Sequence, residues 1–151
     1  MLKISSLTKY FIILAAAGLL LLSGCSKATE QAQQEVVQQY FADNFLDRNY
    51  TVQLATDNGI DLTAQYNGYT FRMIKGNTYD GPMTATKNSI TYNGTWATNS
   101  DYSKLVINLP TTVAEFVFMA REWKFTHKAV PIMELAPWGT TEPKVLHMER
   151  L

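Results

Sequence analysis

The chain has 151 residues, of which 46% are apolar and 17% charged, with 13 basic against 13 acidic side chains. This is a globular composition, and it excludes a disordered chain, a collagen and a polytopic membrane protein. Without a basic excess, nucleic-acid partners are excluded as well.

The N-terminus reads as an export signal. Met1 to Tyr10 carries Lys3 and Lys9 and no acid, Phe11 to Leu22 is an apolar run of twelve residues, and Leu22-Ser23-Gly24-Cys25 follows at once. A run of that length suits a signal-peptide core and falls short of the ~20 residues of a permanent membrane span. The ending resembles the lipobox of bacterial lipoproteins. That resemblance implies cleavage before Cys25, a diacylglycerol on its sulfur and acylation of the new N-terminus, enough chains for firm anchoring. Cys25 is the single cysteine of the chain, so no internal disulfide forms and the fold depends on its core. The expected division is a signal peptide at 1–24, a lipidated N-terminus with a tether helix at 25–48, and a folded domain at 49–151. Loss of Lys3 and Lys9 leaves this mature chain weakly acidic. Ser26 resembles the pattern sorted to the outer membrane, and no acidic run follows the cysteine, so the periplasmic face is expected.

Thr29 to Asp47 is predicted to be a helix capped by Thr29, with Ala32, Val36, Val37, Tyr40, Phe41 and Phe45 as one apolar stripe packed on the domain. From Tyr50 the period changes to two. Tyr50 to Leu54 is a first strand, ended by the turn Asp57-Asn58-Gly59, and Tyr69 to Ile74 a second. A short third strand is placed at Met83 to Thr86, because Asp80-Gly81-Pro82 interrupts the pattern and proline donates nothing to a ladder. Ile90, Tyr92, Gly94 and Trp96 share one face of the fourth strand, and Lys104 to Leu109 is the fifth. Thr111 to Met119 suits a short helix with Thr112 as cap and Glu115 three residues on. Trp123 and Phe125 mark strand six, Ile132 to Ala136 strand seven, and Lys144 to Glu149 strand eight. Eight short strands in direct succession predict a mainly β fold, an eight-stranded antiparallel up-and-down barrel with an N-terminal helix.

Tyr69-Thr70-Phe71, Gly94-Thr95-Trp96, Leu105-Val106-Ile107-Asn108, Glu122-Trp123-Lys124-Phe125-Thr126 and the closing Leu146 to Leu151 occur in one order. With that order, the region from about Tyr50 onward resembles the small lipocalin-like lipoproteins of Bacteroidota. The resemblance implies a calycin-type barrel and binding of a small apolar or amphiphilic molecule.

Chemistry is sparse by comparison. A zinc site needs several His, Cys or carboxylate ligands, and the mature chain offers His127 and His147 with Cys25 committed to lipid. Ser26, Ser89, Ser100 and Ser103 lack the glycine-flanked setting of a nucleophile, and the glycines form no phosphate-cradling loop. Glu115, Glu122, Glu134 and Glu149 read as solvated faces rather than a converging carboxylate pair. The expectation is a non-enzyme without cofactor or metal.

Aromatic side chains remain, and these line cores and apolar pockets alike. Tyr69, Phe71, Trp96, Trp123 and Trp138 are the candidate ligand contacts, with Trp138 expected at a barrel mouth after Ala136-Pro137. Two readings follow. In one the barrel is hollow and holds a small apolar ligand; in the other it is filled, and the protein presents a surface to an envelope partner.

Overall fold

The structure is a computed structural model, and it describes residues 29–151. The export signal and Cys25 lie outside the described residues. The chain divides into two compact units, Met1–Val37 and Gln38–Leu151. Within the first, residues 29–37 are helical and exposed. The second is the barrel.

A helix, α1, covers residues 29–45. It ends two residues earlier than the sequence pattern predicts, because Asp47 takes a left-handed backbone (φ 54) that turns the chain into the first strand. The predicted stripe is also only half used. Phe41, Phe45 and the following Leu46 are buried, whereas Val36 is 68% exposed and Tyr40 43%. Spacing identifies an apolar face but not how much of it is buried.

Nine strands follow: β1 (Arg48–Asp57), β2 (Ile60–Asp61), β3 (Thr70–Met73), β4 (Asp80–Lys87), β5 (Ile90–Thr98), β6 (Lys104–Asn108), β7 (Glu122–Lys128), β8 (Ile132–Pro137) and β9 (Lys144–Arg150). Every pairing is antiparallel, neighbours in sequence are neighbours in the sheet, and β9 pairs back onto β1 from Tyr50↔Arg150 to Asp57↔Lys144. With β2 as a two-residue extra strand, the other eight close the predicted up-and-down barrel. Bulges between Val52 and Leu54 and between Phe125 and His127 help the sheet to curve.

β4 corrects the sequence reading, for it begins at Asp80 and runs through Gly81 and Pro82. Ile74 N–H donates to the Pro82 carbonyl at 2.8 Å, but Pro82 has no N–H to return to Ile74. The Trp96 indole N–H fills that position, donating to the Ile74 carbonyl at 2.7 Å. Gly81 makes the approach possible, since a Cβ there would stand 2.8 Å from the indole nitrogen. A proline inside the strand is therefore tolerated because a tryptophan on the neighbouring strand β5 supplies its missing donor.

The Thr111 to Met119 helix shrinks to one turn, α2 (Phe116–Met119), and its N-cap is Glu115 with no side-chain cap hydrogen bond. Burial of Phe116, Phe118 and Met119, not the capping box, fixes this segment.

Candidate functional site

Both ends of the barrel are closed by aromatic side chains. At the lower end, where α1 runs into β1, the Phe41 ring lies 4.9 Å from Tyr102, 5.3 Å from Phe45 and 5.9 Å from Trp96. At the upper end a 3-10 turn (Thr63–Tyr66) and α2 meet, and Tyr66 Oη donates to the Glu115 carbonyl at 2.7 Å. Phe116 there packs edge-on against Tyr69 at 5.3 Å and Tyr92 at 5.2 Å.

Four of the five candidate ligand contacts belong to this filling. Phe71, Trp96 and Trp123 are fully buried, and Tyr69 is 5% exposed. Tyr69 stacks on Phe71 at 5.8 Å and carries the Lys87 ammonium over its ring. The Trp123 indole donates to the Met119 carbonyl at 2.9 Å, with Phe118 5.5 Å from its ring. Tyr69, Phe71 and Trp123 gather near the upper end, while Trp96 packs at the lower end against Phe41. The fifth, Trp138, stands apart on the outer wall. It is half-buried, its backbone N–H donates to Glu122, and the Lys104 ammonium lies 5.3 Å from its ring. The structure therefore does not bring the five together.

Polar groups inside the barrel are matched within the fold. Tyr50 Oη donates to the Phe45 carbonyl at 3.0 Å and Tyr102 Oη to Thr78 at 3.1 Å. Burial pushes the phenols of Tyr50 and Tyr66 far above their ordinary range, so both stay neutral donors. Among the described residues, no buried side-chain nitrogen or oxygen lacks a partner. A polar ligand would have to replace these bonds in order to enter. Tyr50, Tyr66 and Tyr102 are interior anchors that were not predicted; Tyr50 lies in an alternating strand, but Tyr66 in a 3-10 turn and Tyr102 in the loop after β5 carry no periodic signal.

Charges collect at the upper rim. Arg121 pairs with Glu142 at 3.5 Å, Glu142 with Lys144 at 3.4 Å, and Lys144 with Asp57. The Lys144 ammonium bonded to Asp57 holds that carboxyl below its ordinary range. Among the described residues no group of three or more His, Cys, Asp or Glu side chains could hold a metal ion. Open clefts lie on the outer wall, one of about 570 Å³ beside Lys124, Pro137 and Thr140, another of about 480 Å³ beside Asn77, Pro82 and Thr95.

No protein family matches the chain, and neither does any curated protein. Among solved structures, it is similar to a DUF4847 family protein from Bacteroides vulgatus, with a TM-score of 0.51 and 16% identity over 72% of this chain and 95% of that one. That likeness is one of fold.

Proposed function

We propose that the protein is a lipid-anchored envelope protein without enzymatic activity, whose barrel is a rigid, side-chain-filled module that presents its outer surface to a partner. One observation carries this reading: the aromatic side chains that could have lined a ligand cavity pack in two clusters, one about Phe41 and one about Phe116, within a single buried core that also holds Met83, Leu105, Met133 and Leu146. An eight-stranded barrel is just wide enough to be filled by side chains or to hold one small ligand, and here the rings take the space. Anchoring rests on the lipobox ending at Cys25 and export on the apolar run before it, with the periplasmic face of the outer membrane as the site.

Native mass spectrometry of residues 29–151, purified gently and then mixed with an envelope lipid extract, tests the filled barrel. The bare polypeptide mass is expected throughout. A bound mass that disappears on denaturation, and is lost again in a Trp123→Leu variant, would restore the hollow, ligand-carrying reading. For the anchor, Cys25→Ser is expected to abolish lipid labelling and release the protein from membranes. Continued membrane partitioning at the mature mass would contradict it.

A further inference from the structure

Near the upper rim, neighbouring barrel strands part in two places. At the first, β1 and β3 pair only between Arg48–Tyr50 and Phe71–Met73. Above that, the side of β1 that β3 leaves is covered by the chain's own return. β2 pairs with Thr56 and Asp57, Leu62 N–H donates to the Ala55 carbonyl at 2.8 Å, and Ala55 N–H donates to Thr63 Oγ1 at 3.0 Å.

At the second place, β5 and β6 part above Thr95. Thr98 N–H donates to Tyr79, so even-numbered residues of β5 turn their backbone groups to β4 and odd-numbered ones to the β6 side. Extending the Thr95↔Asn108 register puts Pro110 opposite Asn93. Pro110 has no N–H, and its carbonyl is taken by Val113 N–H at 3.0 Å. The ladder therefore stops, and among the described residues the N–H and C=O of Thr91 and Asn93 have no strand beside them. Both side chains are exposed, and no charged residue occurs between Lys87 and Asp101. Natural sheets guard such edges with lysines, prolines, bulges or a covering segment. β5 has no lysine, proline or bulge between Ile90 and Asn93.

We propose that this edge is a strand-addition site for an extended, uncharged segment of a partner protein, a proposal that rests on the interaction reading above. Two donor–acceptor pairs spaced two residues apart match the backbone of an extended chain. The covered place between β1 and β3 displays such an occupant, two residues of extended chain and a hydroxyl side chain. The neutral run from Asn88 to Ser100 gives a charged segment no counterpart. A second copy of this chain fits poorly. Symmetric pairing about Tyr92 would put the other copy's Ile90 opposite Gly94, where Leu109 already stands, its Cδ2 3.0 Å from where a Gly94 Cβ would be.

The test is photo-cross-linking in cells, with the full lipidated chain carrying a photoreactive residue at Asn93 and, in parallel proteins, at Ile60 and Trp138. The Asn93 probe is expected to mark one protein, with the adduct mapping to an uncharged, extended segment. Thr91→Pro deletes the outward N–H and is expected to cut the yield about three- to tenfold, whereas Thr91→Val keeps it and leaves the yield unchanged. If Thr91→Pro does not accumulate, Thr91→Lys, which installs a guard, is expected to give the same loss. Equal yields from the proline and valine variants, an adduct on a second copy, or an adduct on a charged segment would overturn the proposal. Capture at Ile60 or Trp138 with none at Asn93 would overturn the edge and leave the interaction reading standing. No capture at any of the three positions would overturn both.

Discussion

The two places where strands part differ in what the chain does next. Beyond β1, Asn58 and Gly59 take left-handed backbones (φ 51 and 79), which reverse the chain in a tight hairpin and lay Ile60–Thr63 along the strand it has just left. Beyond β6, Pro110 closes a local turn with Val113 and the chain moves off to build α2. A turn that reverses the chain covers the edge. A proline that diverts it leaves one. Closure of a barrel in strand order is thus not closure along every strand, and its remaining edge is set by a few residues outside the alternating pattern.

The largest expected effect lies on β5 below the parting, where the strand is held on both sides. Trp96→Ala removes a fully buried indole and strands the Ile74 carbonyl, and a loss of about 3–5 kcal/mol in denaturant unfolding is expected. Trp96→Phe keeps most of the volume and is expected to lose about 1–3 kcal/mol for the missing donor. A Trp96→Phe variant within about 0.5 kcal/mol of the parent would mean that the indole N–H does not compensate for Pro82. Gly94→Ala is next, since its Cβ would overlap the Asn108 carbonyl where β5 and β6 separate. A loss of about 1–3 kcal/mol is expected, and a neutral result would place the parting lower on β5.

The covered edge should also depend on the side chain that completes it. Thr63→Val strands the Ala55 N–H and is expected to cost about 1–2 kcal/mol, while Thr91→Val on the open edge stays within about 0.5 kcal/mol. Similar values for the two would erase the distinction. The smallest effect is on pH. Because Lys144 lowers the folded-state pKa of Asp57, the stability from this pair is present above the ordinary carboxylate pKa and lost as pH falls below it through the lowered folded-state value. Melting temperature should therefore fall on acidification toward pH 3 slightly less in Asp57→Asn than in the parent chain. Parallel curves would remove Asp57 from the account.

Much of the barrel was legible because alternation is local. Ile90, Tyr92 and Trp96 against Thr91, Asn93 and Thr95 require no distant partner to be read as a strand with one buried face. What stayed hidden depends on contacts across the fold. Pro82 looks like an interruption until Trp96 is seen to reach Ile74. Thr112 and Glu115 have capping-box spacing, yet the turn that forms is set by the burial of Phe116 and Met119. The candidate site was least legible, since Phe71 or Trp123 would look the same in sequence whether filling a barrel or walling a pocket. Pro110 was visible as the end of a strand, but its consequence for Asn93 appears only once the register is known.

Hydrogen exchange of the backbone amides of residues 29–151 tests the contrast between the two edges most directly. Ala55 N–H, bonded to Thr63 Oγ1, is expected to exchange at the slow rate of the barrel core, and the Thr91 and Asn93 amides near the rate of an unstructured chain. Slow exchange at Thr91 and Asn93 in the isolated monomer would contradict the account, because the edge would then already be covered by the protein itself.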